Sequence, residues 1–258
     1  MKVYIKTYGC QMNERDSDAM ASQLKDQGHE IVFSEEEADA LIFNTCSVRD
    51  AAERKAKGKI GYMKKLKAVK TGLIIGVAGC MAQRLGDQLL EELPHLDFVL
   101  GTGQLHTVPE QLKKVREQQL RFSETAPSPD VLTGMSGHFS GGWHAEIAIT
   151  RGCNRFCSYC IVPYVRGREI SRSLEDVIDE AKTLVANGTK EILLLGQNVA
   201  AYGLNGDTRP PAAGYSPFAE LLDELDKIDG LLRIRYTSPY VTYFNDRLIE
   251  TLARSIKV

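Results

Sequence analysis

Short apolar runs, each followed by a helical pattern, recur through the first 122 residues of the chain. The runs VYIKTYG, ALIFNT and LIIGVAG, at residues 3–9, 40–45 and 73–79, are rich in β-branched and apolar residues, as is typical of buried strands. Helical patterns cover residues 14–27, 48–69, 82–93 and 108–118, and a further short strand is predicted at residues 98–101. Asn13 is the predicted N-cap of the first helix, and Gly28 is its stop. Alternating strands and helices predict an α/β fold with a doubly wound parallel sheet.

A second set of strands and helices is predicted after residue 142. The strands are expected at residues 146–150, 191–195 and 232–237, and the helices at residues 174–187, 218–228 and 246–256. Ser173 is the predicted N-cap of the first of these helices, with Asp176 in the acidic position of a capping box. Residues 123–142 are rich in Ser, Pro and Gly and predict a linker. We therefore expect domains at residues 1–122 and 143–258, the second with three βα units.

Three cysteines are packed into one short stretch, TRGCNRFCSYCIVPYVRGREISR at residues 150–172. Cys153, Cys157 and Cys160 follow the pattern C-x-x-x-C-x-x-C. Three thiolates on one loop can bind three irons of a cubane cluster and leave the fourth iron open for a substrate or cofactor. A structural zinc site normally uses paired C-x-x-C ligands or histidines. The spacing favours an open-site cluster, and zinc or buried free thiols remain as alternatives.

The other three cysteines share a position relative to the predicted strands. Cys10, Cys46 and Cys80 each come just after a strand. The carboxyl ends of parallel strands lie along one edge of a sheet, where ligand sites form, so the three thiols are expected to meet there. This arrangement predicts a second cluster. The alternative is that each cysteine is a small buried residue packed between strand and helix.

Composition limits the class of protein. The 258 residues are 43% hydrophobic, and the net charge is −2. The start lacks the apolar core of a signal peptide, and nowhere do about 18 apolar residues run together. We therefore expect a cytoplasmic chain without a membrane role, in which cysteines bind metal or take part in catalysis instead of forming disulfides.

Positive charge is concentrated in two segments. Residues 49–70 contain nine Lys or Arg against two Asp or Glu, and residues 151–172 contain five Arg against one Glu. Clustered cations can neutralise nucleic-acid phosphates. We predict that Arg166, Arg168 and Arg172, which flank the cysteine loop, bind nucleic acid. The alternatives are a solvated helix face for the first segment and pairing with carboxylates for the arginines.

The cysteine loop resembles a known family. Cys153, Cys157 and Cys160, with Tyr159 before the last of them, resemble the signature of radical S-adenosylmethionine (SAM) enzymes, and GCNRFCSYCIVPYVRGREISR is similar to their methylthiotransferase branch. TYGCQMN, NTCSVR and AGCMAQ resemble the three cysteine motifs of that branch's N-terminal domain, which bind an auxiliary cluster with an open iron. The resemblance implies two [4Fe-4S] clusters and SAM, whose cleavage by one electron gives a 5′-deoxyadenosyl radical.

The resemblance also implies particular cofactor contacts and a domain order. Tyr159 would place its backbone against the adenine of SAM, and Gly196, Gln197 and Asn198 would contact its amino group. Ser238 would reach the ribose or carboxylate. The expected fold is a doubly wound domain followed by part of a radical SAM (β/α) partial barrel. About half of its six units and the C-terminal RNA-binding TRAM domain are absent, so we expect a truncated chain.

The string GQNVAAYG at residues 196–203 favours a tRNA-modifying transferase. It would add a methylthio group to carbon 2 of N(6)-dimethylallyladenosine next to the anticodon, with no catalytic side chain beyond the cluster ligands. The expected partners are that tRNA and an electron donor such as flavodoxin or ferredoxin, and a monomer is expected. The alternatives are the threonylcarbamoyl-adenosine or ribosomal-protein branches, a non-catalytic iron–sulfur module, and an inactive fragment.

Overall fold

A computed structural model describes residues 1–131, 134–204 and 206–258, so residues 132 and 133 of the predicted linker lie outside the described residues. The chain divides into two compact units. The first unit consists of Met1–Phe139 together with Tyr164–Arg166, and the second of Ser140–Pro163 and Gly167–Val258.

The strands and helices alternate in both units. The strands are β1 (Lys2–Tyr8), β2 (Glu30–Ile31), β3 (Ala40–Thr45), β4 (Ile74–Gly79), β5 (Phe98–Leu100), β6 (Phe122–Glu124), β7 (His144–Ala148), β8 (Thr150–Arg151), β9 (Ile170–Ser171), β10 (Glu191–Leu195) and β11 (Arg233–Tyr236). The α-helices are α1 (Gln11–Asp26), α2 (Asp50–Val69), α3 (Cys80–Leu85), α4 (Asp87–Glu92), α5 (Val108–Gln118), α6 (Val162–Arg166), α7 (Leu174–Ala186), α8 (Pro217–Asp226) and α9 (Asp246–Arg254). Short 3₁₀ turns cover Leu105–Thr107, Pro129–Val131, Val199–Ala201 and Val241–Tyr243.

The first unit is a parallel sheet covered on both faces. Its strand order is β2-β1-β3-β4-β5-β6, and every strand pair is parallel. Successive side chains of β3 point to opposite faces: Ile42 packs with Met20 of α1, while Phe43 packs with Ile60 of α2. This is the doubly wound α/β fold predicted from the alternating pattern.

Several element boundaries in the first unit differ from the prediction. The first helix begins at Gln11, so the predicted N-cap Asn13 lies inside the helix, where its side chain is buried and donates to β3 instead of capping the helix. The helix predicted at residues 82–93 is two helices, since the backbone breaks at Gly86 with a φ of 47°. Strand β6 lies partly within the predicted linker, and the first unit extends to Phe139.

The second unit contains a three-stranded parallel sheet in the order β11-β10-β7. All five residues of β10 are buried, as the apolar sequence predicted. Ser173 Oγ accepts a hydrogen bond from the Asp176 N–H at 3.1 Å, which confirms the predicted N-cap of α7. The strand predicted at residues 146–150 is divided into β7 and β8, and β8 pairs with β9 in a separate antiparallel ribbon.

Within the described ranges, no helix is long and apolar enough to cross a membrane.

Candidate functional site

Three free cysteines of the first unit lie at the carboxyl edge of its sheet. Cys10 follows β1, Cys46 follows β3 and Cys80 follows β4, and these three strands are neighbours. Cys46 and Cys80 are buried, whereas Cys10 is exposed. The thiols interact, since Cys46 forms a side-chain hydrogen bond with Cys10 and lies close enough to Cys80 to be affected by its charge. The structure therefore brings the three cysteines together.

Two buried asparagines fix the backbone behind these cysteines. Asn13 Nδ2 donates to Asn44 Oδ1 at 3.0 Å and to the Thr45 carbonyl at 3.1 Å. Asn44 Nδ2 in turn donates to the Asn13 carbonyl at 2.8 Å. A methyl group at Gly79 would lie 2.4 Å from Asn44 Oδ1, so glycine is needed where β4 ends. These bonds tie the start of α1 to the ends of β3 and β4.

The surroundings of Cys10 favour its thiolate. The hydrogen bond with Cys46 is the largest cause and lowers the pKa of the Cys10 thiol to about 5, while partial desolvation of this thiol acts in the opposite direction. The charge of Arg166 and the backbone N–H groups at the start of α1 lower this pKa further. The same thiol–thiol bond, followed by burial, raises the pKa of Cys46. Because the thiolate is the form that binds metal, Cys10 is suited to ligation.

The second set of cysteines lies on the loop between β8 and β9. Cys153 is buried, while Cys157 and Cys160 are half-buried. The Cys160 N–H donates to the Cys157 carbonyl at 2.9 Å, and the Cys153 N–H donates to the Gly167 carbonyl at 3.1 Å. Burial raises the pKa of Cys153 and outweighs a hydrogen bond with the Arg155 backbone, which lowers it; nearby Glu169, Cys160 and Cys157 also raise it. One short loop therefore presents three neighbouring thiols.

The start of this loop is tightly packed. Gly152 has a φ of +76°, and a methyl group there would lie 2.1 Å from the carbonyl oxygen of Arg168. The Asn154 side chain donates to the Gly206 carbonyl at 3.0 Å and accepts from the Glu169 N–H at 3.1 Å. Packing and hydrogen bonds thus fix the backbone on both sides of Cys153.

Comparison with known sequences decides the family. Residues 2–101 match the family described as "Uncharacterized protein family UPF0004", and residues 147–257 match the radical SAM superfamily. The chain is 45% identical over 258 residues to the tRNA-2-methylthio-N(6)-dimethylallyladenosine synthase of Carboxydothermus hydrogenoformans, and 42% identical over 253 residues to that of Syntrophus aciditrophicus. The chain is similar to the methylthiotransferases of the radical SAM superfamily, and it carries the regions that match both family models.

The alignments cover nearly all of this chain but only part of each relative. The alignments cover 99% and 97% of the chain but only 57% and 54% of the two relatives, so the chain spans about half the length of the curated relatives it matches. Among solved structures, the radical SAM methyltransferase TsrM from Kitasatospora setae, with tryptophan and a SAM analogue bound, has a TM-score of 0.63 at 14% identity, over 98% of the chain and 57% of TsrM. The cobalamin-dependent radical SAM enzyme OxsB has a TM-score of 0.54 at 13% identity, over 98% and 41%. These structures support the radical SAM fold alone.

Three of the residues predicted to contact SAM lie at the end of β10, and two of them meet the start of the cluster loop. Gln197 Oε1 accepts a hydrogen bond from the Gly152 N–H at 2.5 Å. A methyl group at Gly196 would lie 2.2 Å from Thr150 Oγ1, so this close approach requires glycine. The turn that contains Gly196, Gln197 and Asn198 is thus joined to the start of the loop that bears Cys153, Cys157 and Cys160. The SAM contacts themselves stay a prediction.

The remaining predicted SAM contacts differ in their surroundings. The Tyr159 side chain is 90% exposed, so the aromatic ring is not part of the core. Asn198 is buried, and its Oδ1 accepts from the Tyr240 N–H at 3.0 Å, while its Nδ2 has no hydrogen-bond partner among the described residues. Ser238 has a φ of 57°, unusual for a residue other than glycine.

The three arginines predicted to bind nucleic acid have different environments. Arg168 is exposed, and its guanidinium lies over the Phe156 ring at 4.6 Å. Arg172 forms a buried ion pair with Glu180 at 2.5 Å. Arg166 is also buried. Burial of Arg166 and Arg172 favours the alternative of carboxylate pairing, so the phosphate contact remains a prediction for Arg168 alone.

Both cysteine sets offer the donors that a four-iron cluster requires. In the part of the chain that the structure describes, no three Cys, His, Asp or Glu side chains are arranged to hold a single metal ion. In a four-iron cluster each thiolate binds a different iron, so the three thiols do not have to surround a single metal ion. Near the first set, Arg166 Nη1 is a buried N–H group without a hydrogen-bond partner, which an anionic cluster would satisfy. The donor sets therefore fit iron–sulfur clusters, and a cluster and SAM are the cofactors of this family.

The support that buried polar residues give to the first set was not predicted from the sequence. The pattern predicts a helix cap at Asn13 and no role for Asn44. A signal for Asn44 was present, because it is a polar residue inside the apolar run ALIFNT. A polar residue kept in a buried strand must have a hydrogen-bond partner, and here that partner is Asn13.

Proposed function

We propose that this chain is the cluster-bearing part of a tRNA methylthiotransferase that modifies carbon 2 of N(6)-dimethylallyladenosine next to the anticodon. One observation carries the proposal: each unit has three neighbouring free cysteines. In the first unit they follow strands of the parallel sheet, and in the second they follow strand β8 of the antiparallel ribbon. The proposal is supported by the similarity to the two relatives above, whose names describe synthases of 2-methylthio-N(6)-dimethylallyladenosine in tRNA.

The two cysteine sets have different tasks in this proposal. Cys153, Cys157 and Cys160 hold the cluster that, when bound with SAM, supplies a 5′-deoxyadenosyl radical, which can break the unactivated C–H bond at carbon 2. Cys10, Cys46 and Cys80 hold an auxiliary cluster that handles the transferred sulfur. The chain's own contribution is to keep each set of thiols together and to fix the Gly196–Asn198 turn beside the loop.

Binding of tRNA requires positively charged side chains that can contact its phosphates. Arg168 is exposed beside the cluster loop and stacks on Phe156, so it can neutralise a tRNA phosphate without losing a carboxylate partner. An electron donor such as flavodoxin or ferredoxin completes the set of partners. The cytoplasm, where tRNA is modified, remains the predicted compartment.

Iron counting tests the two-cluster proposal. After anaerobic reconstitution we expect about eight irons per chain, and about four in the Cys153/Cys157/Cys160 triple Ala variant, because each cubane cluster takes three thiolates here. The Cys10/Cys46/Cys80 triple Ala variant is the matched control and should also hold about four. Equal iron in the native chain and either variant would contradict two separate sites.

A further inference from the structure

A three-residue segment from the second half of the sequence belongs to the first unit. Tyr164–Arg166 packs with Met1–Phe139, and the buried Thr102 Oγ1 donates to the Val165 carbonyl at 2.5 Å. This bond ties the segment to the loop after β5. The side chain of Arg166 is thereby placed among residues at the start of α1.

The Arg166 guanidinium is buried and only partly paired. Its side chain is 3% exposed, and that of its partner Asp16 is 2% exposed. Nη2 lies 3.0 Å from Asp16 Oδ2 and 3.4 Å from Asn13 Oδ1. Nη1 has no hydrogen-bond partner within the described residues. A buried donor without a partner carries a desolvation cost, which indicates that a ligand meets it.

The neighbouring charges indicate what that ligand is. The Arg166 side chain forms a hydrogen bond with Cys80, and its positive charge interacts with Cys80, Asp16 and Cys10. The guanidinium therefore lies beside two of the three thiols at the carboxyl edge of the sheet. Asp16 balances the charge of Arg166, and a cluster held by these thiols would place an anionic acceptor near Nη1.

We propose that Arg166 is a positioning residue for the auxiliary cluster, in which its unpartnered Nη1–H group donates to a cluster sulfur and its charge makes the cluster easier to reduce. The inference rests on the proposed function, because it requires a cluster on Cys10, Cys46 and Cys80. Hydrogen bonds to sulfur and the charge around a cluster both set its reduction potential. Adding one electron increases the negative charge of a buried site, and a nearby cation lowers the cost of that step.

A redox titration of the auxiliary cluster alone tests the proposal. The Cys153/Cys157/Cys160 triple Ala chain is reconstituted with iron and sulfide, and its one-electron reduction is followed by electron paramagnetic resonance. Arg166→Met in this background should weaken reduction at least tenfold, a shift of about 59 mV to more negative potential. Arg166→Lys keeps the charge and should recover part of the shift.

Two further variants separate an electrostatic role from simple damage to the fold. Asp16→Asn removes a buried negative charge and should move the potential in the positive direction, opposite to Arg166→Met. Lys67→Met is the matched control in the same unit. Lys67 pairs with Asp97, which precedes β5 at the amino edge of the sheet, so its loss should leave the potential unchanged.

The outcomes distinguish this inference from the proposed function. An Arg166→Met chain with full iron content and an unchanged potential would overturn the role of Arg166 and leave the two-cluster proposal intact. A parent chain that takes up no iron on the first unit would overturn both. If Arg166→Met fails to fold, the Arg166→Lys and Asp16→Asn potentials decide, and shifts of the same sign would contradict the proposal.

Discussion

At the scale of single residues, the close packing beside the cysteines restricts which residues the loop can contain. Gly152 has a positive φ, and the Arg168 carbonyl oxygen lies where the methyl group of an alanine would be. Gly188, in the same unit, also has a positive φ, at +103°, but has no atom within 4 Å of the position of a methyl group. The two glycines therefore separate conformational strain from steric conflict.

We expect Gly152→Ala to destabilise the second unit more than Gly188→Ala. Each change costs about 1–2 kcal/mol for a left-handed backbone, and the clash with Arg168 adds about 1–3 kcal/mol at Gly152 alone. Chemical denaturation measures both free energies, and iron bound by the loop should fall only for Gly152→Ala. Equal destabilisation would show that the loop relaxes around the methyl group.

The cysteines could be predicted from the sequence, but the partners of the charged residues could not. The spacing of Cys153, Cys157 and Cys160 is local, so the sequence displays it directly. The clustered arginines predict a nucleic-acid contact for Arg166. The sequence of such a cluster does not show which of its arginines pairs with a carboxylate. Its partner Asp16 is 150 residues earlier in the chain, beyond the reach of any local pattern.

At the scale of elements, strongly patterned segments matched the prediction, whereas two short edge strands of the first sheet were not predicted. Strand β10 and helix α5 have the predicted bounds, since an unbroken apolar run and a proline-initiated amphipathic pattern are clear signals. Strands β2 and β6 were missed because edge strands of two or three residues are too short to show a period. Strand β2 forms by pairing with β1, and β6 forms by pairing with β5.

An element-scale prediction concerns Glu191, the first residue of β10. Its carboxylate meets Arg233 Nη1 at 3.2 Å, Arg235 Nη1 at 3.4 Å and His144 Nδ1 at 3.2 Å, so it joins all three strands of the sheet. Burial raises the pKa of Glu191, but the bond with Arg235 and the positive charges outweigh burial and lower it below 4.5. A lowered pKa stabilises the folded state above the unfolded-state pKa and loses this effect as the pH falls.

We therefore expect Glu191→Gln to lower the free energy of unfolding at pH 7, with the difference narrowing as the pH falls below 4.5. Denaturation of both proteins across this range measures it. Glu224→Gln is the control, because Glu224 forms an exposed pair with Lys227 that should contribute little at any pH. A difference that stays constant with pH would contradict an ionic role for Glu191.

At the scale of the whole molecule, each unit has its own core and its own set of thiols. The two sets lie in different compact units, so we expect loss of one cluster to leave the other in place. This independence allows the two proposed tasks, radical generation and sulfur handling, to be removed one at a time.

In the whole-length protein, we expect Cys10→Ala to keep reductive cleavage of SAM and to abolish methylthiolation. Cys10 belongs to the auxiliary set, and the radical depends on the loop cysteines. Release of 5′-deoxyadenosine and the mass of the tRNA nucleosides measure the two steps. Cys153→Ala is the reciprocal control and should lose both, and loss of SAM cleavage in Cys10→Ala would contradict the assignment of tasks.

The Asp16–Arg166 pair has a consequence for how the chain folds during synthesis. The ribosome must add 150 residues after Asp16 before its buried cation exists. Until then the sheet of the first unit can form, but Arg166 and its positive charge are missing from the future cluster site, which makes the binding of an anionic cluster less favourable. Translation itself would thus delay metallation of the first unit until the cysteine loop of the second has left the ribosome.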